Sequence, residues 1–178
     1  MTNEMPEGVS RPGVWAVEIH DLHERNVLAF DLPELLDALG PRAAILDWIV
    51  TDYDPNPGLE GDEEIAGFAN AVYAAQTSTP RTGVRLTGAE LRALGEKVLQ
   101  TIDGQFIGVS RDTAASVSEL VDLRTFPFSD AALVIKAVDS SFWIVITKSP
   151  DDVAAIRERF RDVREADRAL ELGFQLGP

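Results

Sequence analysis

Between Ala132 and Lys148 the chain reads ALVIKAV, a short break at Asp139–Ser141, then FWIVITK. Both runs are rich in β-branched and aromatic residues, and a break this short reads as the turn of an antiparallel hairpin. The hairpin is apolar on both faces. Leu133, Ile135, Phe142, Ile144 and Ile146 recur along it, as do Val134, Val138, Trp143 and Val145. Such a pair belongs at the centre of a sheet covered on both sides, or turns one face to another subunit. A helix bundle is therefore excluded, and any fold for this chain has to be built around residues 132–148.

The flanking segments supply both strands and helices. Val14–Ile19 reads as a first strand and Val27–Phe30 as a short second one. Asp31 with Glu34 forms a capping box, Pro33 falls in the first turn and Gly40 lies past the end, so the pattern predicts a helix over 32–39. Ala43–Thr51 reads as a strand, Asp52–Gly61 as a loop with two prolines and two glycines, and Asp62–Gln76 as an amphipathic helix. Thr77–Thr82 reads as a linker.

A second capping box, Thr87 with Glu90, opens a helix carrying Leu91, Leu94, Val98, Leu99 and Ile102 at helical spacing. Asp103–Gly104 reads as a turn into a strand over Gln105–Ser110. Residues 111–130 read as irregular, with a short helix at 114–121. Ser149 with Pro150 at the first helical position starts the last helix, its stripe formed by Val153, Ile156, Phe160, Val163 and Leu170. Strands and helices are mixed without regular alternation. The expectation is an α+β fold: an antiparallel sheet with a C-terminal β-hairpin, covered by amphipathic helices. Residues 1–12 are expected to be a loose arm and 13–178 one domain, acidic over 13–80 and near-neutral over 81–178.

Charge is distributed unevenly. Residues 1–80 contain 15 acids and three bases (Arg11, Arg25, Arg42), a net −12 of the whole chain's −14; residues 81–178 contain 15 acids and 13 bases. Between Asp47 and Glu64 there are seven acids and no base. Such a field repels nucleic acid and anionic lipid and attracts basic partners or cations. No Cys is present, which excludes disulfides, thiolate metal sites and cysteine catalysis. With no leader-like N-terminus and no long apolar run, the chain is expected to be cytoplasmic and to stay out of membranes.

Two constellations have metal-ligating residue types. Asp52, Asp54, Asn56 and Glu63 fall at positions 1, 3, 5 and 12 of an EF-hand-like spacing, but Pro57 stands where that loop requires glycine. An acidic loop entering a helix N-terminus accounts for the same residues. His20 and His23 sit among Glu18, Asp21 and Glu24, a spacing that matches no common zinc signature. The serines lack a nucleophile-elbow context, and Gly104 and Gly108 make no phosphate loop. The arginines between Arg157 and Arg168 alternate with acids and read as a solvated face.

These readings favour a non-catalytic acidic module that binds a basic protein without cofactor, in its narrowest form a bacterial immunity or inhibitor protein that neutralises a basic toxin. The residues expected to carry binding are Asp47, Trp48, Asp52, Tyr53, Asp54, Glu60, Asp62, Glu63, Glu64 and Tyr73, with acids steering association and aromatics supplying anchors. The first alternative is a divalent-metal enzyme or hydrolase using His20/His23 or the Asp52–Glu63 loop. The second is a homo-oligomeric structural protein joined through the 132–148 hairpin.

Overall fold

In the computed structural model, residues 13–22, 28–57, 63–78, 82–117 and 131–166 are described. Along the chain they form β1 (Trp15–Ile19), α1 (Leu32–Leu39), α2 (Pro41–Ile45), β2 (Asp47–Asn56), α3 (Glu63–Thr77), β3 (Val84–Thr87) and α4 (Gly88–Gly95). There follow β4 (Gln100–Val109), α5 (Arg111–Val117), β5 (Leu133–Val138), β6 (Phe142–Thr147), α6 (Pro150–Arg159) and β7 (Val163–Glu165). The strands form one antiparallel sheet in the order β3-β2-β4-β5-β6-β1-β7, an α+β fold with the hairpin β5–β6 in its interior. No described helix is long and apolar enough to cross a membrane.

Strict alternation assigns the two faces. Trp48, Val50, Phe106, Leu133, Ile135, Trp143 and Val145 pack with Leu32, Leu35 and Leu36 of α1, Ile65 and Val72 of α3, Leu91 of α4 and Ile156 of α6. Ile49, Ile107, Val109, Val134, Ile144 and Ile146 project the other way and cluster with Ala114 of α5. These residues of the second face are buried within the single chain. The hairpin's two-sided apolarity is thus satisfied without a second copy.

Local chemistry explains the helix starts. Both capping boxes form: Asp31 and Thr87 each meet the amide three residues on, while Glu34 and Glu90 return to the cap amides. Ser149 is extended at the cap of α6 with Pro150 at the first position, although its side chain makes no capping bond. Gly40 has φ +63° and ends α1 while opening α2, a left-handed conformation that favours glycine. At Gly88 a Cβ would lie 2.7 Å from the Ala44 carbonyl oxygen, so only glycine lets α4 approach α2 so closely.

Several elements differ from the sequence reading. Residues 43–45 belong to α2, and β2 begins at Asp47 and continues through Asn56, taking in much of the expected loop. Pro55 is accommodated because β3 pairs only with Asp47–Val50, leaving that part of β2 with β4 as its one ladder partner among the described residues. The helix expected through Ile102 ends at Gly95, and the Leu99 amide instead donates to the Asn56 carbonyl at 2.9 Å, starting β4 five residues before the expected strand. Asp103–Gly104 is therefore strand and not turn.

α5 occupies 111–117, while 118–130, the arm 1–12, Val27 and Leu170 lie outside the described residues. Around Leu28 there is only an isolated bridge to Leu22. Past Arg159 the chain leaves the helix, and Val163 lies in β7.

Candidate partner-binding face

The fold gathers acids from both halves of the chain at one end of the sheet. A register irregularity between Thr51 and Asp54 puts Asp52 at φ +50° and sets Asp54 directly across from Asp103 of β4. Asp103 Oδ1 in turn accepts the Asp139 amide at 3.0 Å, and the Ser140 amide donates to the Ile102 carbonyl at 2.8 Å, so the β5–β6 turn is held against the start of β4. Asp52, Asp54, Asp103 and Asp139 are all exposed. Like charges directly across a ladder are unfavourable, so this juxtaposition opposes stability.

Neutralisation is found elsewhere. Arg85 of β3 binds Asp47, Arg42 of α2 binds Asp152 at 2.6 Å, Arg92 bridges Asp37 and Glu96, and Arg157 and Arg164 pair with Glu165 and Asp162. Among the described residues no ion pair engages Asp52, Asp54, Asp103 or Asp139. Arg85 and Arg111 gather about Asp47 at the opposite end of the sheet.

α3 adds an aromatic group to the acidic end. Its Gln76 donates to Asp52 at 2.9 Å. Tyr73, one turn earlier on the same side of the helix, is 68% exposed. Glu63 is exposed at the start of α3, and Glu64 is paired with Lys97. Three expected contact residues are placed differently. Trp48 is fully buried and donates from Nε1 to the Ala43 carbonyl at 3.1 Å. Tyr53 is 7% exposed and packs edge-on to Phe68 and Phe106. Asp47 is 2% exposed beneath Arg85. All three hold the fold together and are closed to a docking protein; Glu60 and Asp62 lie outside the described residues.

Nothing in the local sequence singles out Asp103 and Asp139, because both come from the near-neutral half, where local charge gives no signal. Only the hairpin turn at Asp139–Ser141, legible in the sequence, places one of them at a sheet end.

Among the described residues the metal-ligating types lie apart. Asp52, Asp54 and Asn56 are spread along β2, Glu63 begins α3, and His23 lies outside the described residues. His20 shares a 2.9 Å hydrogen bond with Glu18 and stacks on the Phe142 ring. Among the described residues no three His, Cys, Asp or Glu side chains converge into a ligand set.

Beside the acidic end lies a half-buried acid. Asp31 accepts the amides of Leu32 and Thr101, both at 2.6 Å, and the Thr101 hydroxyl at 2.8 Å. Burial still pushes its carboxyl above the ordinary aspartate value, against the lowering effect of those hydrogen bonds. Burial also raises the Tyr53 phenol, helped by the charge of Asp31. Exposed acids move the other way: hydrogen bonds from Arg92, the Thr87 backbone and Arg164 hold Asp37, Glu90 and Asp162 below their ordinary values.

Compared with protein-family models, curated proteins and solved structures, the chain matches none.

Proposed function

We propose that this chain is a non-catalytic binding module whose acidic sheet end engages a basic protein. One observation carries the reading: Asp54, Asp103 and Asp139, drawn from both halves of the sequence, are exposed together at one sheet end beside Asp52, with no cation paired to them among the described residues. Leaving a self-repelling strip unneutralised while arginines pair with acids elsewhere costs stability, and a cationic surface recovers that cost on association. Tyr73 beside Asp52 supplies the kind of rigid, amphipathic side chain that anchors protein interfaces. In its narrowest form, the partner is a basic toxin that the module neutralises by covering it.

The test is affinity capture from host extract with the wild type and with the triple variant Asp54→Asn, Asp103→Asn, Asp139→Asn. Basic proteins should be captured by the wild type, lost from the variant and released by salt. Capture of the same proteins by both forms, or of acidic proteins alone, would overturn it.

A further inference from the structure

Next to the acidic strip the residues before α1 and those linking α4 to β4 enclose an open groove of about 590 Å³. Its apolar lining comes from Leu28, Phe30, Pro33, Val98 and Leu99. Leu28 and Phe30 are buried walls, whereas Leu99 is 70% exposed at the rim. Asp31, Glu34 and Glu96 also line it, and no lysine or arginine does so among the described residues. Glu34 accepts the Asp31 amide at 3.1 Å and has no ion pair among the described residues. Glu96 takes Arg92 at 3.0 Å.

The groove opens on the helix-covered face at the end of β4 where Asp54 and Asp103 project to the other face, so a segment that reaches both rounds the sheet end. Leu99 donates to Asn56, Gln100 lies opposite Asn56, and three residues along β4 Asp103 lies opposite Asp54. Strand rise puts that separation at about 10 Å, a span that three or four extended residues cover.

We propose that this groove receives an apolar side chain of an extended, basic segment of the partner, while lysines or arginines of the same segment lie along Asp54, Asp103 and Asp139. The inference rests on the acidic end being the docking face and adds the residue pattern that it reads: an aliphatic anchor with cations within four residues. Apolar burial in the groove supplies affinity, and the acids on its lining select against an anionic or neutral segment.

Amide chemical shifts of the isotopically labelled full chain test it with three blocked octapeptides. One alternates leucine and arginine, one serine and arginine, and one leucine and glutamate. The leucine–arginine peptide should saturably shift Ala29, Phe30, Val98 and Leu99 together with Asp54 and Asp103. The serine–arginine peptide should shift only the sheet end, and the leucine–glutamate peptide neither. Leu99→Ser, a change at an exposed position, should weaken the leucine–arginine peptide by about tenfold while leaving the serine–arginine peptide unchanged.

Equal binding of both arginine peptides, confined to the sheet end, would overturn the groove and leave the acidic docking face standing. Absence of shifts at Asp54, Asp103 and Asp139 with either arginine peptide would overturn both. Groove shifts with the glutamate peptide, or on concentrating the protein alone, would assign the groove to an acidic segment or to a second copy and overturn the proposal.

Discussion

Asp139 and Ser140 lie at φ +46° and +53°, the left-handed pair of a type I′ turn closed by the Ser141 amide on the Val138 carbonyl. Such turns favour glycine at the second position, so the turn holds its acid beside Asp103 at a conformational cost. Ser140→Gly should raise stability by about 0.5–1 kcal/mol in chemical denaturation; a loss would show that the serine side chain supports the turn. Asp31 makes a pH prediction. Its carboxyl is raised in the folded state, so on acidification the native protein takes up this proton before the unfolded chain does. That contribution strengthens the fold as pH falls from the raised value to the ordinary one. Asp37, Glu90 and Asp162 act oppositely, their contributions being lost as pH falls through their lowered values. Urea midpoints of the wild type should therefore fall less steeply than those of Asp31→Asn just above the ordinary aspartate range. Parallel curves would remove Asp31 from the account.

At the level of elements, side chains fasten helices to the sheet. Arg42 on α2 donates to Asp152 on α6 and to the Ala132 carbonyl ahead of β5, and Thr147 of β6 donates to the same carboxylate. Asp152 is buried while Arg42 is about a third exposed, so solvent screens part of the interaction. Arg42→Ala should cost about 1–3 kcal/mol, read from denaturant midpoints. An unchanged midpoint would mean that Asp152 is satisfied by Thr147 alone. Elements with local signals were legible in the sequence: α1 and α4 from their capping boxes, β5–β6 from composition and a short break. The misread elements depend on distant partners. β2 runs on through Pro55 because β4 alone, among the described residues, pairs with it there, and Leu99–Ile102 leave the helical pattern because Asn56 captures the Leu99 amide. Similarly, Trp48 and Tyr53 stand among acids in sequence, yet strand alternation turns Trp48 inward and the register irregularity after Thr51 brings Tyr53 to the same face.

Across the whole molecule, the acidity of residues 47–64 is divided by the fold. Asp47 is buried at one end of the sheet; Asp52 and Asp54 join Asp103 and Asp139 at the other. Acids that form one contiguous segment in sequence are thus split between the two ends of the sheet. Replacing Asp54, Asp103 and Asp139 by asparagine relieves their repulsion, and thermal unfolding should show a gain of about 0.2–1 kcal/mol. A loss would mean that the acids hold the turn and are structural. A charge-matched control removes three acids at the opposite end: Glu90→Gln, Asp112→Asn and Asp151→Asn. The decisive measurement is the Kd, at low and physiological salt, of a basic protein captured by the wild type, compared across these two triple variants. The strip variant should bind at least about tenfold more weakly and lose most of the salt dependence, while the control binds like the wild type. Equal weakening in both variants would contradict it, because net charge alone would then account for binding.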